Sequence, residues 1–465
     1  MKSLLFFTTL IFSVLTSSAQ DITGDWYGVL KVQGTPLRLV FHVTKPAGVY
    51  SATMDSPDQG AKDIPVSKTS FENGTVIFEI TSAGVVYEGI LKDKSIEGVF
   101  RQRGQELPLN LSGEPIEKQV MKRPQEPAKP FPYHSEEVEF KNTAANLSLA
   151  GTLTLPNTQG NFPAVILVTG SGPQNRDEEV YGHKPFLVLA DHLTRNGIAV
   201  LRYDDRGNGK STGDFKAATT ADLATDAESA IAYLKTRKEI NKNAIGMAGH
   251  SEGGMIAAMI ASKTNDLGFV VLLAAPGLRG DKVLLLQQES FAKASGVSES
   301  EIQRNRGINA VAFEIVLTSK DQKKMENELN TYLRNVLQND KKIVLPEGMT
   351  MDAYVASQMN QVMSPWMQYF LRYDPVPALE KVSCPALALF GEKDLQVPPT
   401  ENALAVENAF KTGGNKNAMV KTIPNLNHLF QNCTTGLPKE YGDIEETFSP
   451  VALDEISGWI KKQVE

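Results

Sequence analysis

The segment Gly249-His250-Ser251-Glu252-Gly253-Gly254 carries the sharpest chemical signal in the chain. An apolar run, Ala244-Ile245-Gly246-Met247-Ala248, precedes it, and Met255-Ile256-Ala257-Ala258-Met259-Ile260 follows. The pattern predicts a strand, a tight turn and a helix. A serine on such a turn has a strained backbone, and small residues on either side let the turn close and the helix pack against the strand. The turn lifts the Ser251 hydroxyl above the sheet, and the helix start favours negative charge beside it. This is the setting of a nucleophilic serine.

A serine nucleophile needs a base. The chain has six histidines: His42, His134, His183, His192, His250 and His428. His42 falls in a β-rich region and His134 in a proline-rich stretch. His183 and His192 lie in or beside the first helix of the sheet region. His250 precedes the serine, so its side chain is expected to face away and to serve packing. His428 stands in Pro424-Asn425-Leu426-Asn427-His428-Leu429-Phe430, just past the last expected strand. That is the edge where open α/β sheets bind ligands. The orienting acid is Asp394, in Gly391-Glu392-Lys393-Asp394 directly after a strand, with Glu392 as its local competitor. The chain order is then serine, aspartate, histidine. Two backbone N–H groups are needed for an oxyanion. Those of Glu252 and of Ser171, in Thr169-Gly170-Ser171-Gly172-Pro173, occupy the expected positions. Gly170 and Gly172 let the backbone come close to a substrate. The next residues, Gln174-Asn175-Arg176-Asp177, read either as part of the pocket or as a solvated loop. Asp204-Asp205-Arg206-Gly207 reads as a brace for the floor of the site.

Two other motifs fail. Gly207-Asn208-Gly209-Lys210-Ser211 ends like a phosphate loop, but Asp204 stands where its first glycine belongs. Gly170-Ser171-Gly172 lacks a third dinucleotide-binding glycine, because Asn175 is there. No nucleotide cofactor is expected, and no histidine–carboxylate spacing suggests a metal.

The elements that must position these residues form two patterns. Residues 20–113 alternate at period two between turn signals such as Asn73-Gly74, which predicts six to eight strands in a small antiparallel barrel or sandwich. No titratable cluster stands out there, so an accessory structural module is expected. Five prolines in 114–135 predict an extended linker. From 136 to 465, eight strand-like runs alternate with helical ones. They predict a mostly parallel, doubly wound α/β sheet whose first two strands are antiparallel. Residues 277–380 interrupt the rhythm with long helical patterns, including one over 351–372, and read as a helical cap. Within it Met359, Met363 and Met367 recur at four-residue spacing beside Trp366 and Phe370. The stripe is either cap core or, in part, the lining of an acyl pocket.

Composition narrows the function classes. The 465 residues carry 47 Lys plus Arg against 54 Asp plus Glu, a net charge of −7, with no basic cluster to follow a nucleic acid backbone. Two cysteines cannot make a four-thiolate zinc site. Cys384 and Cys433 fall at opposite edges of the expected sheet, so no disulfide is predicted between them. Residues 1–19 combine Lys2, an apolar core and Ser17-Ser18-Ala19, the layout of a cleaved secretory leader. No other stretch is long and apolar enough for a membrane span. The expected location is therefore secreted or periplasmic. Nothing in the sequence signals an oligomeric state.

Taken as a set, Thr169-Gly170-Ser171-Gly172-Pro173-Gln174, Tyr203-Asp204-Asp205-Arg206-Gly207, the Ser251 motif and Asn427-His428-Leu429-Phe430-Gln431 resemble the EstD-type esterases of the α/β-hydrolase superfamily. The resemblance spans about 136–465. It implies an α/β-hydrolase fold, hydrolysis of short acyl esters of small molecules, and Ser251, Asp394 and His428 as the triad. Such proteins stand near serine aminopeptidases and prolyl-oligopeptidase-like enzymes, so a peptidase or amidase is the alternative.

Overall fold

Along Val85–Lys92 buried and exposed residues alternate at every position, the signature of a strand with one wet face. The computed structural model describes residues 21–464 except 33–34, 103–104, 117–121, 341, 344 and 346–348, so the expected leader at 1–19 lies outside the described residues. The chain forms two compact units that divide after Gln119.

In the first unit β1 (Gly24–Val32), β2 (Thr35–Thr44), β3 (Ser51–Ser56), β4 (Ala61–Pro65), β5 (Lys68–Glu72), β6 (Thr75–Ile80), β7 (Val85–Lys92), β8 (Ser95–Gln102) and β9 (Gln105–Ser112) make one antiparallel sheet. Its order is β4-β3-β2-β1-β9-β8-β7-β6-β5. Only Val66 and Ser67 join β4 to β5, a link that reaches no more than about 11 Å. Yet these two strands end the order on opposite sides, so the sheet curls on itself like a barrel. Phe41 and Phe78 stack 4.5 Å apart inside the curl, against Tyr87. The expected six to eight strands are corrected to nine. β4, β5 and β9 are polar or contain proline, and strands buried on one side at most give weak sequence signals.

In the second unit the elements are β10 (His134–Asn142), β11 (Leu147–Leu155), β12 (Phe162–Val168), α1 (Pro185–Arg195), β13 (Ala199–Tyr203), α2 (Thr220–Thr236), β14 (Ile240–His250), α3 (Glu252–Ala261) and β15 (Phe269–Leu273). The cap helices follow: α4 (Gly280–Ala294), α5 (Glu299–Thr318), α6 (Gln322–Asn339), α7 (Met351–Val362), α8 (Pro365–Arg372) and α9 (Val376–Leu379). Then come β16 (Ala386–Gly391), α10 (Pro399–Thr412), β17 (Ala418–Ile423), α11 (Pro438–Tyr441) and α12 (Pro450–Val464). The sheet order is β10-β11-β13-β12-β14-β15-β16-β17. The sheet is mixed: β11 runs antiparallel to both neighbours, and the ladders from β13 to β17 are parallel. The chain leaves β12 to one side for β13 and returns on the other for β14. That reversal opens a crevice at the strand ends. It also brings the turn after β14 beside the loop after β12, with Val168 paired to Gly249.

The single helix expected over 351–372 is two. Ser364 caps α8 by accepting from the Met367 N–H, with Pro365 at its first position, where proline's missing donor costs nothing. Met359 is buried within the cap core, with Met363 and Met367 packed against it.

The end of the proline-rich stretch is held rather than free. The Arg123 guanidinium donates to the carbonyls of Gly182 at 3.0 Å, Gly442 at 2.8 Å and Ile444 at 2.7 Å. Gln125 accepts from the Thr447 and Phe448 N–H groups and donates to the Phe448 carbonyl. Hydrogen bonds from a charged group contribute about 1.5–3 kcal/mol each and are not additive. Arg123→Ala is therefore expected to lower the unfolding free energy by about 2–4 kcal/mol in a urea titration. A change under about 0.5 kcal/mol would mean the segment is only draped on the surface.

Candidate active site

β14 ends at His250 and α3 starts at Glu252, leaving Ser251 as the whole turn with φ +54° and ψ −119°. Side chains rarely adopt this backbone, which costs of order 1–3 kcal/mol and persists only where the surroundings impose it. Here the Ser251 N–H donates to the Leu273 carbonyl at 2.7 Å and the Gly254 N–H to the Ser251 carbonyl at 3.0 Å. The glycines of the motif answer to contact. A Cβ on Gly249 would stand 2.0 Å from the Gly253 carbonyl oxygen, and one on Gly253 would stand 2.1 Å from that of Val168.

His428 and Asp394 meet across the ends of two strand–loop units. Nδ1 of His428 lies 2.7 Å from Oδ2 of Asp394, and the two side chains are 5% and 0% exposed. The other carboxylate oxygen accepts from the N–H groups of Gln396 at 2.8 Å and Val397 at 2.9 Å. A carboxylate only accepts, so neutral His428 carries its proton on Nδ1 and keeps a lone pair on Nε2. Glu392 is engaged elsewhere, accepting from the Asn425 N–H. Asn427 shapes the histidine loop by accepting from the Leu429 and Gln431 N–H groups, both at 3.0 Å. Gln431 donates in turn to the Glu446 carbonyl, next to buried His183. Burial pushes the His183 pKa down to about 4, which keeps that imidazole neutral between Thr447 and the Tyr441 carbonyl.

The loop after β12 is anchored by acids. Asp205 accepts from the Thr169 hydroxyl and the Gln174 N–H, both at 2.9 Å. Asp204 takes the Arg176 guanidinium and its N–H. The residues 174–176 are thus held by the aspartates expected to brace the floor. Burial pushes the Asp205 carboxyl up to about 8; its hydrogen bonds oppose the shift, and the charges of Glu252 and Glu178 add to it. Glu178 accepts the Gly170 N–H at 2.8 Å. A Cβ on Gly170 would lie 3.3 Å from that of Ser251, so the loop passes directly over the serine. Gly172 has φ +96°. Ser171 lies between them. Glu252 opens α3, where backbone N–H groups lack helical acceptors.

Sequence reasoning missed the part played by His250 and Glu178. Nδ1 of His250 is 2.9 Å from the Glu178 carboxylate, and Nε2 is 2.9 Å from the His428 carbonyl. Both partners accept, so His250 donates from both nitrogens. Burial works against that charge, but the charge of Glu178 and the hydrogen bonds leave the pKa raised. His250 thereby joins the loop over the serine to the loop of His428. The local signal was the placement of His250 beside Ser251; Glu178, 72 residues away, gave none.

The two cap residues expected near substrate have other partners. The Trp366 indole donates to Glu252, and Phe370, 5% exposed, stacks on Trp366 at 5.1 Å. A cavity of about 600 Å³ lies along α8 against Pro365, Gln368, Tyr369 and Arg372, not against these two rings. Among the described residues, no group of three or more His, Cys, Asp or Glu side chains is placed to hold a metal ion.

The family model described as serine aminopeptidase, S33 matches residues 184–345, a span that holds Ser251 and stops before Asp394 and His428. Esterase EstD of Thermotoga maritima is 27% identical over 335 residues, 70% of this chain and 68% of that protein. Among solved structures, the esterase Pf2001 of Pyrococcus furiosus is 15% identical over 75% of this chain and all of that chain, at a TM-score of 0.44. The α/β hydrolase GrgF of a Penicillium species is 17% identical over 71% of this chain and 99% of that chain, also at 0.44. The chain is a hydrolase built on a mixed α/β sheet. Among characterised proteins it is similar to EstD.

Proposed function

We propose that the protein is a serine carboxylesterase acting on short-chain acyl esters. The observation that carries this reading is the buried Asp394–His428 pair, whose loop is hydrogen-bonded to the residue preceding the strained Ser251 turn. Nε2 of His428 takes the Ser251 proton as Oγ bonds to the ester carbon. The carbonyl oxygen becomes an oxyanion facing the N–H groups of Ser171 and Glu252. The ester C–O bond then breaks, and the leaving alcohol takes the proton from His428. Water, deprotonated by the same histidine, attacks the acyl-enzyme and releases the acid.

The match to the serine aminopeptidase model favours one competing reading, an amidase or peptidase. The test is hydrolysis of p-nitrophenyl acetate, butyrate and octanoate beside an aminoacyl-p-nitroanilide. Turnover of acetate and butyrate with an untouched anilide is the expected result. Cleavage of the anilide alone would replace the esterase reading by the peptidase one.

A further inference from the structure

Acyl transfer as proposed uses the backbone N–H of Glu252 and leaves its side chain without a task. That side chain is 1% exposed. Thr220, the first residue of α2, donates its hydroxyl to one carboxylate oxygen at 2.6 Å. The Trp366 indole N–H, from cap helix α8, lies 2.8 and 2.9 Å from the two oxygens. Burial raises the carboxyl's pKa, and its side-chain hydrogen bonds oppose the rise.

The two donors come from separate elements: a helix of the sheet domain and the cap. A buried carboxylate holds its position only while its donors do, since each lost hydrogen bond leaves an unsatisfied charge. Trp366 is fixed on its ring face by Phe370. The Phe370 carbonyl oxygen is so close to Gly280 that a Cβ there would stand 1.9 Å from it, which seats α8 on the start of α4. The path from cap packing to the Glu252 turn therefore runs through one indole and one carboxylate.

We infer that Glu252 is a positioning residue that locks cap helix α8, through Trp366, to α2 and to the nucleophile turn, so that the seating of the cap sets the Glu252 N–H facing the oxyanion. This rests on Ser251 being the nucleophile. Such a tie acts on the transition state more than on substrate binding, so its loss falls on kcat rather than on KM.

Trp366→Phe removes the N–H and keeps a ring to stack on Phe370. Glu252→Gln keeps the shape and removes the charge. Each is expected to lower kcat on p-nitrophenyl butyrate about 10–100-fold with KM within about threefold. Labelling of Ser251 by a fluorophosphonate is expected to slow in parallel. The double variant should be little worse than the poorer single one, because both break the same link. A readout independent of turnover is the emission of Trp366, one of three tryptophans, obtained as wild type minus Trp366→Phe. It should shift in Glu252→Gln. Trp366→Phe within twofold of wild type in both rates, additive losses in the double variant, or an unshifted emission would each overturn the tie. A wild type that is labelled at Ser251 yet hydrolyses no ester would sink the esterase reading instead, and the labelling rates of the variants would still decide the positioning role.

Discussion

Ser251→Ala is expected to lower kcat for p-nitrophenyl butyrate by about 10⁶-fold, the scale seen when a triad nucleophile is removed. The folded protein should be unharmed. The alanine would keep the N–H bond to the Leu273 carbonyl and still sit at φ +54°, ψ −119°. Ser251→Gly separates function from strain. It removes the hydroxyl as well, but glycine adopts this backbone freely. The relief of about 1–3 kcal/mol of strain is offset by about 0.5–1 kcal/mol of extra chain entropy in the unfolded state. Ser251→Gly should therefore be inactive and more stable than Ser251→Ala by about 1–2 kcal/mol in urea unfolding. Retention of more than about a hundredth of wild-type kcat by either variant would remove Ser251 as the nucleophile.

Asp394→Asn should cost about 10⁴-fold in kcat with little change in KM. Gln396 and Val397 direct two N–H groups at Oδ1 of residue 394, so the amide oxygen of an asparagine would stay there. Its NH₂ would then point at Nδ1 of His428, where Oδ2 now lies 2.7 Å away. Two donors cannot share that contact. The imidazole proton would move to Nε2, and the lone pair that should take the Ser251 proton would be lost. Steady-state kinetics on the same ester read the effect directly. A loss below about tenfold would argue that another acid orients the base, with Glu392→Gln as the variant to compare.

Much of this was local enough to read from the chain. The Ser251 turn was legible because a strand, two glycines and an apolar helix follow one another without a break. The expected strand around Ala244–Ala248 is observed within Ile240–His250, and the expected helix over Met255–Ile260 within Glu252–Ala261. Periodicity reports which face of an element is buried, and these elements bury theirs. It failed where burial is partial. β4 and β5 contain no fully buried residue, so no apolar alternation marked them. Within 351–372 the helical pattern continued through Ser364-Pro365, and the break came from a capping pair whose meaning is only local.

The sequence by itself determined the order of Ser251, Asp394 and His428 and the kind of element each one follows. These follow from neighbours a few positions apart. Only the tertiary structure decided which polar groups would be buried together. Arg123 reaches a carbonyl 321 residues on, His250 a carboxylate 72 residues back, and Trp366 one 114 residues back. A buried charge is stable only if the fold delivers its partner, and no pattern in the chain around either residue records where that partner will come from.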